Sequence, residues 1–249
     1  MANDFKDTGL IMSGDIFMAE VDADGKFGAL NGPMNVPSLS ITPTSVNRIS
    51  RPSFQKDNYG QALDAVNLPS DSASVTIQFD SMPAAMLAET LGGTAELADA
   101  EADSVTGEAL TLTEGAWVAL PHSSLAAGSV VVTKDATDVT ADCDINLSAG
   151  LIKARTASAA GDVTVDYDTE AVTGHRVMGD TEISKPRYIL VDGINLATGK
   201  RTRVEIFRAV LSADQATELM GTEFITGQLS GSLVVPPGKG AAYTATMYS

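Results

Sequence analysis

The chain has 249 residues, enough for one large β domain or two smaller ones. Its apolar fraction of 44% can supply a core, while 16 basic against 32 acidic residues leave a net charge of −16. That charge disfavours nonspecific binding to nucleic acid or to an anionic membrane, and the single cysteine, Cys143, excludes an intrachain disulfide.

The first strand expected is Gly14–Val21, running into a turn at Asp22-Ala-Asp-Gly25 where the glycine suits positive φ. Gly32-Pro33 punctuates the chain, and Ser38–Ile41 alternates like a half-buried strand. Residues 44–72 break the rhythm: Arg48, Arg51, Lys56, Asp57, Asn58, Tyr59, Gly60, Gln61 and Asp64 make a long polar stretch with little periodicity. Two readings of it stay open, a solvated flexible loop or an arm that orders only against a neighbouring subunit. Phe54, Tyr59 and Leu63 give it apolar anchors that a plain linker would lack.

Ser74–Asp80 is a clean strand with Val75, Ile77 and Phe79 on one face. A helix should follow, capped by Ser81, with Pro83 in its first turn and Gly92-Gly93 ending it. Met86, Leu87 and Leu91 form its apolar stripe. Residues 94–103 read as a linker. Beyond it, 104–173 reads as a separate inserted unit with short strands at Glu108–Leu112, Ala116–Leu120, Ser129–Thr133, Leu151–Ala154 and Asp162–Tyr167. That segment has three basic and ten acidic residues, so much of its surface should face solvent. Arg187–Asn195, a turn at Leu196–Lys200 and Arg201–Leu211 then make a long hairpin. Ile206-Phe207 and Val210-Leu211 require both faces of its second half to be covered. The last strand, Phe224–Val235, sets Ile225, Gly227, Leu229, Gly231, Leu233 and Val235 on one face until Pro236-Pro237 stops it. Its two glycines point to curvature or the close approach of another backbone.

Catalytic and metal signatures along the chain are absent or incomplete. His122 and His175 lack zinc-ligand spacing and are read as ordinary histidines. Asp22–Gly25 begins like a calcium loop, but Pro33 stands where the bidentate Glu belongs. At Gly199-Lys200 the position of the phosphate-loop Ser/Thr is taken by Arg201. No Gly-x-Ser-x-Gly elbow occurs, and Cys143 lies between Asp142 and Asp144, which would raise its thiol pKa. The expectation is a protein that is not an enzyme and takes no cofactor or metal. The first residues, Met1 to Asp7, lack a signal-peptide pattern, and no stretch approaches the ~20 apolar residues of a membrane helix. Synthesis in a cytoplasm, with no membrane partner, is therefore expected.

Several segments together carry a resemblance. Asp192–Asn195, Thr198–Lys200, Val204–Leu211 and Phe224–Pro236, with Arg51–Asp64 upstream, resemble the major tail tube proteins of long-tailed, non-contractile (siphovirus-type) bacteriophages. The order of parts is similar too: strand, loop, strand, helix, insert, hairpin, closing strand. The resemblance covers residues 14–93 and 176–236.

What it implies is a mainly β fold: a tail-tube β-sandwich or barrel with one flanking α-helix, formed by 1–103 and 174–249, plus an inserted small Ig-like β-sandwich at 104–173 on the outer surface. Copies of the chain would form hexameric rings stacked into a tube in the virion, assembled in the host bacterial cytoplasm. Double-stranded DNA would pass through without specific binding, past a wall whose acidic groups repel phosphate. Tape measure, tail terminator and distal tail or baseplate proteins would be partners. The segment 44–72 would link subunits or rings, with Arg48, Arg51, Phe54, Lys56, Asp57, Tyr59 and Leu63 as candidate contacts. In the tube sheet the candidates are Arg187, Ile189, Arg203, Glu205 and Phe207. Two other readings stay open: a β-rich binding module, such as a virion decoration or adhesin protein, and an acidic β-rich hydrolase for which no site is found.

Overall fold

The computed structural model describes residues 9–248, and the chain divides into two compact units, Met1–Ala95 with Val177–Ser249, and Glu96–Arg176. The architecture is mainly β, of the sandwich class with one α-helix. In chain order the strands before the helix are β1 (Met12–Glu20), β2 (Asn31–Met34), β3 (Ser38–Thr42), β4 (Ser45–Pro52), β5 (Ala62–Asp71) and β6 (Ser74–Phe79). The helix α1 (Ala84–Thr90) leads to β7 (Thr94–Leu97). Then come β8 (Ser104–Leu112), β9 (Val118–Ala119), β10 (Val131–Lys134), β11 (Thr137–Asp138), β12 (Cys143–Asn146), β13 (Leu151–Ala154) and β14 (Gly161–Asp168). The chain closes with β15 (His175–Met178), β16 (Lys185–Asn195), β17 (Lys200–Ser212), β18 (Gly227–Leu233) and β19 (Tyr243–Met247).

The first unit is organised by one eight-stranded sheet in the order β2-β1-β16-β17-β18-β6-β3, with β19 pairing the other half of β17. All of its described pairings are antiparallel, so one face can be apolar at every second residue. Ile16 and Met18, Val75, Ile77 and Phe79, Ile189 and Val191, Val204 and Ile206, and Leu229 and Leu233 fill that face and form the core. Burying each such side chain contributes roughly 1.5–3 kcal/mol. The helix lies on this core, with Met86 buried in it.

The second unit holds a four-stranded sheet, β11-β10-β14-β8, and a three-stranded sheet, β12-β13-β9. Val132, Val163, Val165 and Tyr167 from one sheet and Ile152 and Ala154 from the other belong to a single buried cluster. Two sheets sharing one core make a sandwich. This unit has fourteen acidic and four basic residues, so it carries −10 of the chain's −16.

Several expectations are corrected. Residues 44–72 are not a structureless loop: β4 and β5 form a two-stranded hairpin. Its periodicity is hidden by register shifts at Ser45/Val46 and Arg51/Pro52, each of which flips the phase of alternation. The helix N-cap is Pro83, with no side-chain cap from Ser81 or any other residue. Its buried residues are Met86, Ala88 and Thr90 rather than Met86, Leu87 and Leu91. The stretch expected as a linker contains β7, which pairs with β15. The strand expected at Phe224–Val235 spans Gly227–Leu233, starting where its partner β6 ends at Phe79, opposite Gly227, and it is not the last, because β19 follows it. Strands β11, β12, β15 and β19 lay outside the expected set, and Gly32-Pro33, read as punctuation, lies within β2.

The glycines of β18 have the close contacts anticipated for them. A Cβ on Gly231 would collide with the Val210 carbonyl on β17, and one on Gly227 would meet Thr90, Met82 and Phe79. Gly231→Ala should therefore lower stability by about 1–3 kcal/mol in urea denaturation, whereas Gly221→Ala, with open space around it, should change it by less than about 0.5 kcal/mol. Equal effects at the two positions would refute the close-approach account.

Candidate assembly surface

The β4–β5 hairpin is exposed along its whole length on both faces. Its register sets Asn47 opposite Leu68, Ile49 opposite Val66 and Arg51 opposite Asp64, so one face is a stripe of Ile49, Val66 and Leu68 ending in an ion pair. Arg51 Nη2 meets Asp64 Oδ2 at 2.6 Å in open solvent, a contact contributing no more than about 1 kcal/mol. Across the ladder Arg48 Nε donates to Asn67 Oδ1 at 3.3 Å. The arm has three basic residues (Arg48, Arg51, Lys56) and three acidic ones (Asp57, Asp64, Asp71), so it is neutral in an acidic protein.

Its tip is built by hydrogen bonds around Ser53, the one buried residue of the arm. Ser53 N–H donates to Gln61 O (2.7 Å), Gly60 N–H donates to Ser53 O (2.8 Å), and Ser53 Oγ donates to Asn58 Oδ1 (2.6 Å). Gly60 sits at φ +82°, a conformation that favours glycine. The result presents Phe54 and Tyr59 edge to face, centroids 5.8 Å apart, at 75% and 72% exposure. Lys56 and Asp57 are exposed between them, and Leu63 is exposed just inside β5. The arm therefore gathers all seven candidate contacts read from 44–72.

The five tube-sheet candidates separate. Ile189 is fully buried in the core. Arg187 is buried too, bridging Glu20 (3.1 Å) and Glu89 of α1 (2.5 Å). Lys185 joins it, reaching Glu182 at 2.7 Å, Glu89 at 3.5 Å and Gly93 O at 2.7 Å. Sequence reasoning missed Lys185, Glu89, Glu182 and Glu20. The available signal was two cations in the same alternation phase as Ile189 and Val191, which demands nearby anions.

Arg203, Glu205 and Phe207 lie on β17 beside Tyr188 of β16. Tyr188 is buried, stacks on Phe27 with centroids 4.3 Å apart, and donates its hydroxyl to Glu205 Oε1 at 2.7 Å. Arg203 Nη2 donates to the same oxygen at 3.0 Å, while Lys239 Nζ stands 4.3 Å above the Phe207 ring. Burial, and then the hydrogen bond to Glu205, push the Tyr188 phenol up to about 12. The Tyr188 hydroxyl and the Arg203 guanidinium in turn hold the Glu205 carboxyl below its usual range.

Beside the Arg187 cluster runs an open groove of about 430 Å³. Met18, Met34, Met86, Pro33, Pro83 and Ala85 supply its apolar lining, with Glu20, Glu89 and Arg187 as its charged members. Elsewhere, His122 Nδ1 shares a hydrogen bond with the Tyr167 hydroxyl at 2.8 Å, and burial raises the Cys143 thiol pKa, with Asp142 and Asp144 adding to it. Among the described residues no group of three or more His, Cys, Asp or Glu is placed to hold a metal ion, and no helix is long and apolar enough to cross a membrane.

Fold and surface together define a mainly β protein of several sheets and one helix, with an exposed, aromatic-tipped hairpin arm. The chain belongs to the family described as protein of unknown function UCP028589, whose model matches residues 10–248. No curated protein matches it.

The raised Tyr188 pKa has a stability consequence with a definite sign. A phenol held neutral by the fold contributes stability that is complete below pH 10.0 and is lost as the pH rises through about 12. Urea midpoints measured over that interval should fall less steeply for Tyr188→Phe than for the parent chain; parallel slopes would contradict the assignment.

Proposed function

We propose that the chain is a structural subunit that assembles with copies of itself into stacked rings forming the tail tube of a long-tailed bacteriophage. The observation that carries this reading is the β4–β5 arm. An isolated two-stranded hairpin is marginal in water, and this one exposes Ile49, Val66 and Leu68 along a face and Phe54 with Tyr59 at its tip. A second copy is the economical cover, because the arm is neutral where the chain as a whole would repel its like. The free edge of β3 gives further support. Among the described residues Ser38–Thr42 pairs only with β6 and carries no charge, an edge that a monomer would be expected to guard and an assembly can use.

In this reading the first unit builds the wall, the arm joins subunits, and the second unit, with most of the net charge, decorates the outside. Catalysis has no part in it. DNA would pass in transit, and the tube would end on the terminator and distal tail proteins.

Electron microscopy of the purified protein tests the proposal. Six-fold rings or hollow tubes are expected at high concentration, and strictly monomeric particles would overturn it. Replacing residues 46–70 by a short Gly-Ser linker should abolish stacking while preserving the β circular-dichroism spectrum. Tubes that survive this deletion would refute the role given to the arm.

A further inference from the structure

Resting on that reading, we infer that the groove beside the Arg187 cluster is the seat for the arm tip of a second copy. Three observations select this groove. First, among the described residues nothing covers either partner: Phe54 and Tyr59 stand in solvent, and the groove is open. Second, the chemistries match. Met34 is the half-buried thioether of its wall, Met18 and Met86 form a floor continuous with the core, and Pro33 and Pro83 add flat apolar walls; thioethers pack well against aromatic rings. A groove of about 430 Å³ falls within the size range of sites that enclose small ligands or anchoring side chains.

Third, the charges complement one another. The cluster holds two cations, Lys185 and Arg187, against three anions, Glu20, Glu89 and Glu182, leaving one negative charge over. Glu20 is the most exposed of the three, with its side chain at 77%. Lys56, two residues from Phe54, is the tip's cation for Glu20, and Asp57 beside it keeps the tip neutral overall. The other large apolar groove, about 600 Å³ and lined by Met12, Val36, Leu39, Ile41 and Tyr243 among others, has no charged residue to meet it.

The tip is also suited to act as an anchor. Its backbone is held by the Ser53 hydrogen bonds before any partner arrives, so little ordering entropy remains to be lost on docking. Two central aromatics in a pocket, rimmed by a charge pair, follow the usual distribution of binding energy at interfaces.

Cross-linking tests the seat directly. Chains carrying Tyr59→Cys are mixed with size-tagged chains carrying Met34→Cys, oxidised, and resolved on a non-reducing gel. A mixed disulfide dimer is expected, and none from the control mixture of Tyr59→Cys with Leu196→Cys, which sits exposed on the β16–β17 turn. Absence of the mixed dimer, or equal yield from the control, overturns the inference. Phe54→Ala with Tyr59→Ala should also raise the concentration needed for assembly at least about tenfold, and an unchanged concentration counts against the seat. The two levels of the argument fail separately: tubes that need the arm without a tip-to-groove cross-link refute the seat alone, whereas tubes without the arm refute the reading beneath it.

Discussion

The first unit depends on the pairing of β16 with both β1 and β17. Nine residue pairs tie β1 to β16, from Met12 with Asn195 to Glu20 with Arg187, across nearly the whole length of the chain. Both faces of this central pair of strands are occupied. On one side Ile189, Val191, Val204 and Ile206 enter the core; on the other Tyr188 stacks on Phe27 and ties Glu205 and Arg203 into a hydrogen-bonded network. A shift of one residue would send Ile189 toward that polar network and Tyr188 into the core, so the register is fixed from two directions. The sheet edges, the helix and the arm all take their positions from it.

How much of this was legible in the sequence varied with the kind of signal. β6 and the β16–β17 hairpin were readable because Val75, Ile77 and Phe79 alternate cleanly and Gly199 marks the turn. β13 was readable for the same reason, bounded by Gly150 on one side and Arg155 on the other. The arm was not readable as a hairpin. Its alternation is broken by two bulges, and its ladder is decorated by Arg48 with Asn67 and Arg51 with Asp64, pairs that look like loop polarity until the register is known. Its seven candidate residues were nevertheless identified from their types.

The Arg187 cluster lay beyond sequence reasoning for a different reason. Its essential partner, Glu89, is 98 residues away on a short helix whose cap and buried face differ from those expected. The shared phase of Lys185, Arg187, Ile189 and Val191 signals that anions must be near, but only the fold shows which ones. The groove likewise exists only where β1, β2 and α1 meet. Contacts made by a sheet of mostly non-sequential neighbours are not encoded in any local pattern.

The ends of the second unit bear on how such a chain could fold at all. Ala98 N–H donates to Gly174 O, and Ala100 exchanges hydrogen bonds with Val172, so the unit is closed upon itself at its own base. Strands of the first unit that must find one another, β1 with β16 and β6 with β18, are separated in sequence by that whole intervening domain. Once it folds, the 77 residues from Ala98 to Gly174 act as a single short stitch rather than as a long loop. The conformational search for the central pairing then proceeds over a shorter effective chain, with a smaller closure entropy to overcome.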